Sequence, residues 1–333
     1  MAPTPRHDLV ALLDQQSLSW RAPLTSPSVR RSDGLAADSP MGWQGTPWFQ
    51  HVGVRIGAFS LVATLLVVLA QAVRIGLGVT GAPWWQPLVV ELVPIVVAYV
   101  LVVTVLESRR HAIEYAPARW LGLPIGLAAG AAVCLVAAGI VWALGGIVFT
   151  GTNPNPPWLS QLVSLGVVAG IAEEIALRGV LFRYVESLLG TWTSVAISAL
   201  IFGVLHLANP HATMTGALAI AVEAGLMFAL LYALTRSLWV VIGVHAGWNL
   251  MQGLGLGIVV SGSTDVGEGF LVSHPAGPEI ISGGEFGIEA SVVAVAVWLV
   301  VAAYLAWRLV RTGGVVRPAW TRHRTLPGNP LTP

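Results

Sequence analysis

The chain contains a succession of apolar stretches, each close to the length of about 20 residues that a helix needs to cross a bilayer. Because such stretches recur from residue 54 almost to the carboxyl terminus, they constrain the fold more than any other feature. We predict an all-α polytopic membrane protein with about eight transmembrane helices. The spans lie near 54–75, 87–106, 121–149, 158–185, 191–207, 213–234, 237–260 and 286–309.

Composition supports the same class and excludes others. Hydrophobic residues make up 55% of the chain and charged residues only 10%, whereas a soluble domain carries about 25% charged residues. The net charge of +1 leaves no electrostatic footprint for nucleic acid. The single cysteine, Cys134, excludes an intramolecular disulfide and any site with several cysteine ligands.

Three regions follow from this pattern. Residues 1–50 are rich in Pro, Ser, Asp and Arg and show no secretory signal, so we predict a cytoplasmic disordered extension. Residues 51–311 form the predicted membrane domain, with a core at about 155–255 that contains the motifs described below. Residues 312–333 form a cytoplasmic tail. Partner binding by the extension is an alternative that its composition does not favour.

The distribution of arginine predicts the orientation, because cytoplasmic loops carry the excess of basic residues. The connections near 150–157, 208–212 and 261–285 contain no arginine, and Arg74 is the sole exception to the alternation. Both termini are therefore predicted to be cytoplasmic, in a protein of the plasma membrane. The arginines on the side predicted to be cytoplasmic are Arg55, Arg109, Arg110, Arg119, Arg183, Arg236, Arg311, Arg317, Arg322 and Arg324.

Three motifs place polar groups inside these apolar helices. A charged side chain at a helix centre costs roughly 2.5–3.5 kcal/mol on insertion scales, so each motif is a hypothesis of function. A structural Glu–Arg pair or an interhelical histidine would explain any one of them alone, but that cost argues against this reading for all three. We predict one buried site, made by Glu173-Glu174-x-x-x-Arg178, Phe202-x-x-x-His206 and His245-x-x-x-Asn249.

Spacing within each helix suggests the roles. Residues four apart share a face, so Glu174 can pair with Arg178, while Glu173 is rotated by about 100° and is left free to take a proton from water. His206 would hold that water or stabilise an oxyanion. His245 and Asn249, also four apart, present an imidazole and an amide on one face, as an oxyanion site requires. Phe202 is interpreted as a packing residue.

Helix arithmetic predicts how deep the site lies. Glu174 and His206 each lie sixteen residues from Gly190, roughly 24 Å at 1.5 Å per residue. His245 follows Arg236 by nine residues, roughly 13 Å. The levels agree if the hairpin around Gly190 projects about 10 Å into the cytosol. The site would then open to the cytoplasm.

The three motifs resemble those of the CPBP family, the CAAX-protease and bacteriocin-processing intramembrane endopeptidases of Abi type. The resemblance covers roughly residues 155–255 and includes the flanking text 225–232 and 237–239. It implies eight spans and hydrolysis of a peptide bond by activated water in a membrane-associated, sometimes lipidated, peptide or protein. It also implies that Glu173 is the base and that His206, His245 and Asn249 complete the site.

The resemblance leaves the cofactor open, because members are described both as metalloproteases and as glutamate-dependent peptidases. Glu173, His206 and His245 would be the ligands of a zinc ion bound by two histidines and a glutamate. The usual His-Glu-x-x-His signal is absent, which favours a site without metal. The sequence does not choose among prenylated proteins, bacteriocin-like peptides and the membrane anchors of regulatory proteins as substrates.

A non-catalytic immunity or scaffold protein, or a proton-coupled transporter, is the alternative function. The predicted convergence of the polar groups at one level and the asparagine amide favour the peptidase, since a transporter needs a relay across the membrane. Glu223 either lines the cavity or makes a structural hydrogen bond. Glu91, Glu289 and Arg74 lie near span ends, where placement at the membrane interface suffices to explain them.

Overall fold

The computed structural model describes residues 51–79, 81, 83–103, 113–263 and 269–322. The predicted extension 1–50 and the end of the tail, 323–333, lie outside the described residues. Within the described ranges, eight helical runs are longer than ten residues. They are α1 Val52–Gly76, α2 Leu88–Leu101, α3 Gly122–Ala143, α4 158–189, α5 Thr191–Leu205, α6 Met214–Thr235, α7 Leu238–Leu250 and α8 Val292–Arg311.

The protein is mostly helical, and five helices of the described chain are long and apolar enough to cross a membrane. These are α1, α3 with the turn that precedes it, α5 with the turn that follows it, α6 and α8. They support an integral membrane protein. Helix α2 is shorter, while α4 and α7 carry the charged and polar residues of the motifs. The count of eight membrane crossings therefore stays a prediction.

The prediction of a purely helical chain misses a two-stranded sheet. Strand β1, Ile147–Thr152, pairs antiparallel with β2, Leu271–Pro275. Helix α3 ends at Ala143 rather than at residue 149, because Gly145 adopts a φ of 77° that leaves the helical region. Both strands lie in connections that contain no arginine, so the sheet lies on the side predicted to be outside.

Two predicted span ends also move. The helical run of α7 continues through a π-turn to Gly255 and stops short of residue 260. Helix α8 begins at Val292 rather than at residue 286, because the Ser291 hydroxyl accepts a hydrogen bond from the amide of Val293 and caps the helix. The segments that follow α7 and precede α8 are therefore not part of either helix, and they can cover the ends of both.

Close packing of α3 against α7 holds the helix that carries the third motif. A Cβ atom on Gly130 would lie 2.1 Å from the carbonyl oxygen of Val244, and one on Gly247 would lie 2.2 Å from that of Leu127. Both distances are far below any real contact, so only glycine permits this approach. Small residues are the usual means by which membrane helices pack closely. The packing fixes α7 along its axis.

The hairpin between α4 and α5 is hydrogen-bonded to two other connections of the bundle. The carboxylate of Glu186 accepts hydrogen bonds from Arg236, at 2.7 Å, and from the Thr191 hydroxyl, at 2.6 Å. The amide of Thr191 donates to the carbonyl oxygen of Val316 at 3.0 Å. These contacts join the hairpin to the connection between α6 and α7 and to the segment after α8, and its projection into the cytosol stays a prediction.

Candidate active site

The centre of the site is a buried carboxylate shared between two helices. Glu174 Oε1 lies 2.9 Å from Arg178 Nη1 on the same helix and 2.9 Å from His245 Nδ1 on α7. The side chains of Glu174 and Arg178 are fully buried, and His245 is 5% exposed. Because the carboxylate lies beside Nδ1, the other ring nitrogen, Nε2, remains available for chemistry.

The arginine is neutralised and fixed by several groups at once. Its second terminal nitrogen donates to the carbonyl oxygen of Gly225 on α6 at 3.1 Å. The guanidinium also lies over two aromatic rings, 4.9 Å from the centre of Phe202 and 5.3 Å from that of Phe228. Cation–π contacts of this kind gain strength when water is excluded. Arg178 thus ties α4 to α5 and α6 and has a structural role beside Glu174.

Glu173 has different surroundings from its neighbour. Its side chain is 35% exposed, and its Oε2 atom lies 4.0 Å from Nε2 of His245 without a hydrogen-bond partner among the described residues. The carboxylate is on the wall of a cavity of about 380 Å³ between α1, α2, α4 and α5. The cavity walls are mostly apolar and include Val67, Pro87, Ile95, Val168, Ala172 and Leu205.

His206 and Asn249 lie on the other side of His245, around a second, much smaller cavity of about 10 Å³. Such a volume holds about one water molecule. The Nδ1 atom of His206 lies 2.7 Å from the carbonyl oxygen of Phe202, which can only accept, so Nδ1 carries the proton and Nε2 is free. The Asn249 amide donates to the carbonyl oxygen of Leu165 at 3.4 Å.

Phe202 packs against both imidazoles as well as against the arginine. Its ring centre lies 4.7 Å from that of His206 and 6.0 Å from that of His245. Phe228 stacks on His245 from α6, with centres 4.8 Å apart and planes at 24°. The aromatic rings therefore fix the planes of both histidines in a dry environment.

The donor set does not assemble into a zinc site in the described residues. No group of three or more His, Cys, Asp or Glu side chains in these ranges is arranged to hold a metal ion. Glu173 and His245 approach each other, but His206 lines the small cavity, and Glu173 does not. The residues therefore do not fit the two-histidine, one-glutamate zinc arrangement as they stand.

Three further glutamates have surroundings in the structure that the sequence did not predict. Glu289 is buried and lines the small cavity beside His206, His245 and Asn249, which its position near the end of a span does not predict. Glu91 lines the larger cavity together with Glu173. Glu223 is buried, lines neither cavity, and its two carboxylate oxygens make no hydrogen bond within the described chain.

Sequence spacing carried no signal for Glu289. Its hydrogen-bond partners are Trp248, Gln252 and Ser261, which lie 28 to 41 positions away along the chain. The one local hint in the sequence is that Glu289 follows Phe286, Gly287 and Ile288 and comes two residues before Ser291, which caps α8. Only the tertiary fold brings this carboxylate to the histidines.

Comparison with known proteins points to one family. The search of curated proteins and the search of solved structures find no match. A scan against protein families matches residues 155–251 to the family described as type II CAAX prenyl endopeptidase Rce1-like. The matched segment runs from the connection before α4 to the end of α7 and contains all three motifs. The resemblance to the CPBP family that these motifs carry is thereby confirmed for residues 155–251, which are similar to the Rce1-like type II CAAX prenyl endopeptidases.

Proposed function

We propose that this protein is an intramembrane endopeptidase that hydrolyses a peptide bond of a membrane-associated substrate with water activated by a glutamate. One observation carries the proposal. Of two adjacent glutamates, Glu174 is held by Arg178 and His245. Glu173 instead lines the larger cavity, and its Oε2 atom lies 4.0 Å from the Nε2 atom of His245. The family match supports a hydrolase of the protease class.

Glu173 is the proposed general base. It takes a proton from a water molecule, and the resulting hydroxide attacks the carbonyl carbon of the scissile bond. The same carboxyl group then delivers that proton to the nitrogen of the leaving amine when the carbon–nitrogen bond breaks. Glu174 does not take part in the proton transfer, because its charge is already shared by the guanidinium and the imidazole. It orients His245.

The proposed oxyanion site consists of His245, His206 and Asn249. Each of the imidazoles has its Nδ1 atom beside an acceptor, so its Nε2 atom donates to an oxyanion when the ring is protonated on both nitrogens. Preorganised donors in a site without bulk water stabilise a developing negative charge far more than they would in water. The Asn249 amide lies at the same small cavity, so the three groups are arranged around one point rather than along a path.

The substrate reaches Glu173 through the larger cavity. Its walls come from α1, α2 and α5 as well as α4, and they suit an extended apolar peptide or a lipid chain. The family description names prenylated CAAX peptides, in which the cysteine near the carboxyl terminus carries the lipid. Bacteriocin-like peptides and protein anchors stay alternative substrates. Access from the cytoplasm and a site without metal remain part of the proposal.

The test compares cells that produce the wild-type protein with cells that produce the Glu173→Gln variant. We expect a defined set of new amino and carboxyl termini in membrane proteins of wild-type cells only. The matched control is Glu285→Gln, which changes a carboxylate whose side chain is 85% exposed. Identical termini in all three strains would refute the peptidase and favour the immunity, scaffold or transport alternatives.

A further inference from the structure

Glu289 enters the site from a turn that only glycine permits. It lies in the 3₁₀ turn Ile288–Ala290 just before α8. The preceding Gly287 has a φ of 102°, and a Cβ atom there would lie 2.1 Å from the carbonyl oxygen of Val259. The close approach presses the turn against the segment 257–263 that follows α7. As a result Glu289 is buried, with 4% of its surface exposed.

The carboxylate accepts hydrogen bonds from two separate parts of the chain. From the end of α7 it accepts the indole N–H of Trp248 at 3.4 Å and the amide of Gln252 at 3.2 Å. From the covering segment it accepts the hydroxyl of Ser261 at 3.0 Å and the backbone N–H of the same residue. Four donors on two oxygens use the full capacity of an ionised carboxylate.

A chain of contacts continues from Ser261 to His206. Ser261 has a φ of 51°, a conformation that residues other than glycine rarely adopt, so its neighbours must hold it there. Its carbonyl oxygen accepts a hydrogen bond from the Asn209 side chain at 2.6 Å. The backbone N–H of Asn209 donates to the carbonyl oxygen of His206 at 3.2 Å. The segment 257–263 is thus fastened to the turn that presents His206.

We infer that Glu289 is a positioning residue of the site, an inference that rests on the proposed function. It fixes the turn that carries His206 relative to the helix that carries His245 and Asn249. The distance between these groups determines whether they can surround one oxyanion. Glu289 lies beyond residues 155–251, so the chain completes this site with a residue outside the segment that matches the family.

The first experiment measures peptide cleavage by the purified full-length protein in detergent, with a fluorogenic prenylated CAAX peptide and its unprenylated form. We expect Glu289→Gln to lower kcat at least tenfold on the cleaved peptide while KM stays within twofold. Glu289→Asp should recover part of the loss, and Glu285→Gln should behave as wild type. Asn209→Ala should lower kcat as well, but it should add little in the Glu289→Gln background, since both changes break one chain of contacts.

The second experiment does not depend on activity. Modification of His206 by diethyl pyrocarbonate, followed by mass spectrometry, should be at least threefold faster in Glu289→Gln than in wild type and unchanged in Glu285→Gln. If Glu289→Gln does not fold, Asn209→Ala and Ser261→Ala, which leave the carboxylate in place, should give the same acceleration. An unchanged modification rate in the folded variants would overturn the inference. An inactive wild type with accelerated modification would instead refute the proposed function alone.

Discussion

Glu174 and His245 lie 71 positions apart in the chain, yet the Oε1 atom of the first is 2.9 Å from the Nδ1 atom of the second. The same oxygen is also 2.9 Å from Arg178. One carboxylate oxygen thus joins a cation on its own helix to an imidazole on another helix. The Oε2 atom of its neighbour Glu173 makes no hydrogen bond within the part of the chain that the structure describes. This division of two adjacent glutamates leads to the first two predictions.

Glu173→Gln should abolish peptide hydrolysis, because an amide cannot take the proton from water. The side chain is partly exposed on a cavity wall, so the variant should fold and keep its thermal midpoint. Cleavage assays and thermal unfolding of the purified variant check both parts. Full activity in this variant would remove the proposed base.

Glu174→Gln should lower stability as well as activity. Removing one partner of a buried ion pair typically costs about 3–5 kcal/mol, because it leaves the other charge without compensation. Arg178 would be that charge, since it is fully buried. Thermal unfolding should therefore place Glu174→Gln well below Glu173→Gln, which serves as the matched control. Equal midpoints for the two variants would contradict the role of Glu174 as the partner of Arg178.

Gly130→Ala should destabilise the protein and reduce its activity, because the new methyl group would meet the carbonyl oxygen of Val244 and push α7 away from α3. His245 follows Val244 directly, so the displacement reaches the site. Gly139→Ala is the control on the same helix, since a Cβ atom there meets nothing within 4 Å. We expect it to be neutral or slightly stabilising, as alanine is the better helix former. The ratio of folded to aggregated protein and the cleavage rate measure both effects.

The purified protein should contain substoichiometric zinc and keep its activity after prolonged chelation. In the proposed mechanism Glu173 activates the water, and this step needs no metal ion. Elemental analysis and cleavage assays before and after chelation measure this. One tightly bound zinc per chain, lost together with activity in His206→Ala or His245→Ala, would turn those histidines into ligands.

The orientation can be tested with single cysteines in a Cys134→Ala background. Leu188 and Phe270 are both exposed, at 37% and 52%, and lie at opposite ends of the bundle. In intact cells a membrane-impermeant thiol reagent should label residue 270 and spare residue 188, as well as 187, 40 and 325. Residue 188 should react once the membrane is opened, which shows that its protection comes from the bilayer. Labelling of residue 188 in intact cells would reverse the predicted orientation.

The sequence alone determined what depends on neighbours along one helix. The spacing of four between Glu174 and Arg178 predicts an ion pair, and the structure contains it. The apolar runs indicate a helical membrane protein because each of them is about as long as a helix must be to cross the hydrocarbon core of a bilayer. The motifs indicated the resemblance to the CPBP family because each of them lies within five or six consecutive residues. In these cases the relevant distance is set by local helical geometry.

Only the tertiary structure decided which helices meet and at what level. Helix arithmetic from Gly190 and Arg236 treated the two helix pairs as independent, and it does not predict the contact of Glu186 with Arg236 that joins them. The pairing of Glu174 with His245 also joins residues of two different helix pairs. The burial of Glu289 likewise depends on a glycine turn and on Ser261, which are remote from His206 in sequence. No local pattern encodes such contacts, because they arise from the packing of whole helices and of the irregular segments that cover their ends.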